Sequence, residues 1–398
     1  MLYRDFKGKK LSLLGYGAMR LPTLGSDDKI DVSEAERLID RAMEAGVNYY
    51  DTAYPYHGGN SEIAVGKILK KYPRDSYYIA TKFPGHQVMS EYNPADVFER
   101  QLRKCGVDYF DFYLLHNVNE SSIDTYLDEK WGIIDYFLEQ KKQGKIKHLG
   151  FSTHGAVENI REFLDKTGDA MEFCQIQQNY LDDSLQRAGE KYKLLTERGI
   201  PVFVMEPVRG GKLVGGLPDT AKENLKSMRP EESIAAWGFR WLMDYENIAV
   251  ILSGMSNMEQ LEDNIKTFSE DKPLSDDERR ALSDIAESLK KSVPCTGCRY
   301  CTDLCPMGLN IPLMMEVYND IRYSPGVNSA LKIEFLPDDK KPESCLACGA
   351  CSSICPQKID IPAAIAALSE SLKTIPSWRK ISLDREEAAR KIAENEEK

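Results

Sequence analysis

No run of the 398-residue chain comes near the ~18 uninterrupted apolar residues of a membrane-spanning helix, so no membrane span is predicted. The opening residues, MLYRDFKGKK, lack the apolar centre of a secretory signal. Positive charge is scarce: 52 Lys and Arg against 63 Asp and Glu leave a net charge of −11, which argues against nonspecific binding to nucleic acid or an anionic bilayer. The glycine-rich dinucleotide turn is also missing. In GYGAMRLP, Arg20 stands where the third glycine of G-x-G-x-x-G belongs and Pro22 follows. Cysteine is rare through most of the chain, with only Cys105 and Cys174 before residue 295. One falls on a predicted helix and the other on a predicted strand, and both read as core residues. Together these absences predict a cytoplasmic protein, and in that reducing compartment closely spaced cysteines hold metal rather than form disulfides. Apolar residues at 42% and charged residues at 29% fit an ordinary globular chain.

From the N-terminus to about residue 270, β-prone runs alternate with helical segments. The runs are LSLLGYGAM, VNYYDTA, YYIATKF, YFDFYLLH, IKHLGFST, FCQIQQNY, IPVFVMEP and IAVILSGM. Between the first two, SEAERLIDRAMEAG has helical spacing, with Ser33 as predicted N-cap and Gly46 just past the end. Eight such alternations predict an α/β fold, a closed parallel (β/α)₈ (TIM) barrel over residues 1–273. An open doubly wound sheet is the alternative, and the missing glycine turn counts against it. Residues 274–292 read as a connecting helix ended by Pro294, residues 293–372 as a small, mostly helical domain, and residues 373–398 as a charged tail.

That small domain holds the other eight cysteines. CTGCRYCTDLCP begins at Cys295 and CLACGACSSICP at Cys345, an internal repeat of period 50 with the pattern C-x2-C-x2-C-x3-C-P. Three thiolates at this spacing wrap one face of an iron–sulfur cubane, while the fourth cysteine lies too far along and reaches the other cluster. One [4Fe–4S] cluster is therefore assigned to Cys295, Cys298, Cys301 and Cys355, and the second to Cys305, Cys345, Cys348 and Cys351. Paired zinc sites are the alternative, but zinc requires neither the third cysteine nor the Cys-Pro. The pattern resembles bacterial-type dicluster ferredoxins.

At the ends of the predicted barrel strands stand Asp51, Tyr56, Lys82 and His116. A lysine beside a tyrosine lowers the phenol's affinity for its proton, an aspartate holds the lysine, and a histidine orients a carbonyl oxygen. Such a set suits carbonyl–alcohol interconversion. The order D-T-A-x-x-Y from Asp51, T-K at Lys82, L-L-H at His116, GFSTH at Ser152, QIQQNY at Gln175 and the segment ending in Asn264 resembles the aldo-keto reductase family over residues 1–270. The resemblance implies an oxidoreductase using NAD(P)H, with Asp51, Tyr56, Lys82 and His116 as catalytic tetrad and Tyr56 as general acid. It further implies that Ser152 and Gln175 contact the nicotinamide amide and that Gly17, Ala18, Met19, Asp51 and Thr153 also bind the cofactor. Glu206, Pro207, Val208, Gly210 and Gly211 would follow the pyrophosphate, and Ser253, Gly254, Met255, Ser256, Gln260, Asp263 and Asn264 the adenosine. Many family members have an aromatic ring where this chain has Glu206, and Lys or Arg where it has Gly254, Met255, Asn257 and Gln260; the choice between NADH and NADPH is left open. His57 and His154 receive no role, and His86 reads as a surface-loop residue.

The clusters pass single electrons and nicotinamide moves a pair as hydride, a mismatch that a flavin ordinarily bridges. No flavin motif is present, though a bound flavin is compatible with the chain. Three readings follow: a nicotinamide-dependent carbonyl reductase whose clusters are structural or serve a redox partner protein; a reductase fed through the clusters; or an electron-transfer module on a vestigial barrel. The first is adopted, with a small carbonyl or alcohol as substrate.

Overall fold

Strands of a parallel barrel are buried on both faces, so they read as continuous apolar runs rather than alternating ones. Phe110–Leu115, FDFYLL, is buried at all six positions. The computed structural model of the chain describes residues 1–396 apart from 88, 90, 290–292, 294, 296–298, 300, 303, 324 and 356. Ten strands occur among these: β1 Tyr3–Phe6, β2 Lys9–Ser12, β3 Leu14–Gly17, β4 Tyr49–Asp51, β5 Tyr78–Phe83, β6 Phe110–Leu115, β7 Ile146–Thr153, β8 Cys174–Gln177, β9 Val202–Met205 and β10 Ile248–Ser253. β3 to β10 close a parallel barrel in chain order, with β10 returning to pair with β3. Each of these eight strands falls within the run predicted for it, and helices follow them around the outside.

β1 and β2 form an antiparallel hairpin that the sequence pattern does not announce, because YRDFKGKK is dominated by charge. Lys7 and Gly8, at φ 51° and 82°, make its two-residue turn. Phe6 and Leu11 join Tyr49, Phe112, Phe173 and Phe203 in the barrel's inner core, where the Phe6 and Phe112 rings lie edge to face at 5.2 Å.

The helix Val32–Glu44 is capped by Asp31, whose carboxylate accepts the Glu34 N–H at 3.0 Å. This corrects the N-cap predicted at Ser33, which lies one residue inside the helix; Gly46, at φ 88°, does end it. Cys105 closes the helix Pro94–Cys105 and is buried. A Cβ on Gly66 would stand 2.4 Å from the Cys105 carbonyl oxygen, so two helices meet backbone to backbone there. Cys174, the first residue of β8, is equally buried.

The chain divides into two compact units, residues 1–282 with 385–398, and residues 283–384. The helix Asp276–Leu289 therefore runs across the division. In the second unit the helices Ile311–Tyr323 and Ile361–Lys373 begin at equivalent points of the repeat, each with proline in its first turn. Leu309, Ile311, Met314, Ile361, Ile365 and Leu368 form its core. Among the described residues no helix is long and apolar enough to cross a membrane.

Candidate active site and cysteine cavities

Parallel register brings the C-terminal ends of the strands to one rim. Gly17 pairs with Asp51, Asp51 with Ala80, and Lys82 with Leu114, two residues before His116. Lys82 Nζ donates to Asp51 Oδ1 at 2.5 Å and to the Thr52 carbonyl at 2.8 Å, and lies 3.5 Å from Tyr56 Oη. Both members of the ion pair are buried. The Tyr56 ring stands edge-on to His116 with centroids 6.0 Å apart. The predicted tetrad is thus one connected group.

Burial works to strip the Lys82 proton, but Asp51 and Tyr56 outweigh it and the ammonium is held above its ordinary range. Burial pushes the Tyr56 phenol up, and Lys82 only partly opposes this. The expected lowering of Tyr56 is therefore corrected: desolvation wins, and Tyr56 keeps its proton. His116 is held neutral, well below the usual imidazole range, by burial and then by His86 and Lys82. Its Nδ1 has no hydrogen-bond partner among the described residues.

His86 was expected on the surface. It is instead 5% exposed, with its ring 4.3 Å from that of His116. Burial, Arg385 and His154 push it down to about 3. Arg385, on the helix Trp378–Glu396, also bears electrostatically on Tyr56 and His116, so this part of the predicted charged tail belongs to the rim. A histidine kept neutral when folded but titrating near 6.5 when unfolded binds fewer protons in the native state. Stability is then full above the unfolded value and is lost as pH falls toward about 3. Between pH 7 and 5 we expect His86 to account for about 2 kcal/mol of lost stability. Denaturant unfolding at the two pH values, with and without His86→Gln, measures that share.

Several supports were not read from the sequence. Gln101 Nε2 donates to the Lys82 carbonyl at 3.1 Å and to buried Glu62 at 2.7 Å, which also receives Thr81 Oγ1 at 2.6 Å. This network fixes the backbone that carries Lys82. Buried Arg209 donates from Nε and a terminal nitrogen to Asp182, which also receives Gln177 and Asn179, and so anchors the loop after β9. His57 clamps the loop after β3, its Nε2 accepting the Leu21 N–H at 3.2 Å.

The residues expected along the dinucleotide stand at the ends of six consecutive barrel strands, β7, β8, β9, β10, β3 and β4. A Cβ on Gly17 would touch the Ser253 carbonyl at 3.4 Å, and Ser152 pairs in register with Gln175. Ser152 Oγ accepts the Asn117 N–H, and Thr153 Oγ1 donates to the Val118 carbonyl, both turned toward the loop after β6. Buried Gln175 Oε1 has no partner among the described residues, an open acceptor suited to a carboxamide N–H. Its Nε2 donates to Met205 Sδ at 3.7 Å. Met205, and not Glu206, stands beside Gln175, and it shares the inward pleat of Phe203. Glu206 is left-handed, at φ 55°, with its carboxylate 3.7 Å from Arg20. Further along, Asn264 Nδ2 donates to Ser253 Oγ, Gln260 Oε1 accepts the Ser256 N–H, and Asp263 Oδ2 accepts from Ser233. Gln260, Asp263 and Asn264 thus brace the segment internally.

In the second unit the cysteines gather around two cavities. Cys305, Cys345, Cys348 and Cys351 line one; Cys295, Cys301 and Cys355 line the other. The first cavity takes three cysteines of the second run and the last of the first run; the second takes two described cysteines of the first run and the last of the second run. Cys298, Pro294 and Pro356 lie outside the described residues. Apart from the cysteines, the first cavity has apolar walls, Ile311, Met307 and Pro362 among them, whereas the second adds Arg299 and Gln357 to Ile361, Ile359 and Pro312. No described cysteine is in a disulfide. A set of soft thiolates gathered about one centre is what an iron–sulfur cluster requires.

The sequence model of the aldo/keto reductase family matches residues 13–287, and that of the 4Fe-4S dicluster domain matches residues 294–359. An NADH-specific methylglyoxal reductase of Escherichia coli is 27% identical over 64% of this chain and 88% of its own length. L-galactose dehydrogenase of Arabidopsis thaliana is 27% identical over 71% of this chain and 92% of its own. An aldo-keto reductase of Bacillus halodurans, solved in its holo form, superposes with a TM-score of 0.59 at 27% identity, covering 72% of this chain and 96% of that one.

Proposed function

Since the chain belongs to the aldo/keto reductase family and is an oxidoreductase carrying an iron–sulfur domain, we propose that its barrel reduces a small carbonyl compound with NADH, while two [4Fe–4S] clusters exchange electrons with a redox partner protein. The observation that carries the barrel reading is the buried Lys82–Asp51 pair at 2.5 Å with Tyr56 Oη 3.5 Å from the same ammonium. The nicotinamide, when bound, supplies the hydride. Tyr56 gives its proton to the carbonyl oxygen, and Lys82 stabilises the phenolate that remains. Asp51 keeps Lys82 in place and charged. Neutral His116 donates a hydrogen bond that orients the carbonyl oxygen without competing for the proton. Gln175, with its open acceptor, holds the nicotinamide carboxamide.

NADH rather than NADPH is supported by the segment expected to face the adenosine ribose. Gly254, Met255, Asn257 and Gln260 offer no cation, and a ribose phosphate is best held by Arg or Lys. One relative, the E. coli reductase, carries NADH specificity in its name. Fluorescence titration of the purified protein is expected to give at least about tenfold tighter binding of NADH, the worth of ~1.4 kcal/mol. Equal or tighter binding of NADPH would overturn this assignment. For the second unit, Cys295, Cys298, Cys301 and Cys355 would hold one cluster and Cys305, Cys345, Cys348 and Cys351 the other, supported by the grouping of the described seven around two cavities.

A further inference from the structure

The two cysteine runs repeat one plan with an offset of 50 residues, and the copies differ in charge. Apart from its cysteines, the cavity around Cys345 is lined by apolar groups, Met307 and Leu346 among them. The cavity around Cys295 contains Arg299 and Gln357. By the repeat, Gln357 corresponds to Met307 and Arg299 to Gly349.

The backbone keeps the same conformation at the exchanged positions. Arg299 and Gly349 are both left-handed, at φ 68° and 75°, and so are Lys358 and Gly308, at φ 54° and 60°. In each pair one repeat uses glycine, which enters this region freely, and the other uses a long cation that enters it against steric resistance. Of the two cations Arg299 lines the Cys295 cavity, and Lys358 lies in sequence between Gln357 and Ile359, which line it too. The other cavity has weaker counterparts. Lys340 donates to the Met307 carbonyl at 2.6 Å, but Asp339 stands 3.6 Å from the same ammonium. The Leu309 N–H donates to Cys305 Sγ at 3.4 Å, an amide dipole rather than a full charge.

Adding an electron to a thiolate-held cubane increases its negative charge by one, so nearby cations and donors favour the reduced form. Resting on the reading of two [4Fe–4S] clusters, we propose that they are unequal acceptors: the one held by Cys295, Cys298, Cys301 and Cys355 is reduced first, with Arg299 and Gln357 setting the order. Each cluster takes one electron from an external low-potential one-electron donor, passing from the 2+ to the 1+ state with no proton transferred. The inequality gives the pair a direction, since an electron delivered at the apolar cavity runs downhill to the other.

The full-length protein, prepared without oxygen, is assayed for iron and acid-labile sulfide, then titrated potentiometrically with dithionite and followed by electron paramagnetic resonance. Less metal than two clusters require overturns the parent reading. Two clusters that fill in one unresolved step overturn this one alone. We expect two steps, with Arg299→Leu shifting the first to more negative potential and leaving the second in place, while Arg299→Lys keeps both. Because Arg299 is exposed, added salt should narrow the gap. If Arg299→Leu loses its cluster, Met307→Gln tests the same order from the other cavity by raising the second step. An Arg299→Leu protein with an unmoved first step, or a Met307→Gln protein with an unmoved second step, contradicts the proposal.

Discussion

Tyr56→Phe is expected to lower kcat for carbonyl reduction by about 10²–10⁴-fold, the usual worth of a positioned proton donor, and to leave dinucleotide affinity as in the wild type. The phenol is the protonated group closest to Lys82 Nζ on the rim, and burial holds its proton in place at neutral pH. Removing one oxygen leaves the ring, its edge contact with His116 and the Lys82–Asp51 pair intact. The loss should therefore appear in kcat and not in folding or cofactor binding. Steady-state kinetics beside a fluorescence titration separates the two, and a Phe variant with near wild-type turnover would remove the tetrad from the chemistry.

Lys82→Met should cost about 3–5 kcal/mol of stability, because it leaves the Asp51 carboxylate buried without its cation. The same substitution removes the group that stabilises the Tyr56 phenolate, so turnover should fall with it. Combining it with Asp51→Asn takes away the stranded charge and should restore much of the stability but none of the turnover. Urea unfolding of the single and double variants measures this coupling. Equal stability of Lys82→Met and wild type would mean that water reaches Asp51 freely.

The parts of this architecture legible in sequence are those where a local pattern and a three-dimensional requirement coincide. Barrel strands are buried on both faces, so apolar runs locate them, and the barrel's register then gathers Asp51, Lys82 and His116 because each stands at or just past a strand end. Cysteine spacing is equally informative, since the crossed grouping around two cavities follows from loop length. What was missed depends on contacts distant in sequence. Nothing in FPGHQ marks His86 as buried against His116, and nothing near Gln101 marks it as the group that holds the Lys82 backbone. Asp182 and Arg209 find each other across 27 residues. Met205 and Glu206 illustrate the finest level. Family order directs attention to Glu206, but alternation from inward-facing Phe203 gives the place beside Gln175 to Met205 and sends Glu206 toward Arg20. The β1–β2 hairpin escaped because its charged outer residues mask Phe6 and Leu11, the two that plug the barrel.

The central claim is that the barrel passes a hydride from nicotinamide to a carbonyl carbon, and not electrons drawn one at a time from the cysteine-bound clusters. Isotope transfer tests it most directly: NADH deuterated at its transferable position is mixed with a small carbonyl substrate and the enzyme under anaerobic conditions, and the alcohol is analysed by mass spectrometry and NMR. One deuterium is expected at the former carbonyl carbon of each product molecule. An alcohol formed at full rate with only solvent hydrogen at that carbon would contradict it.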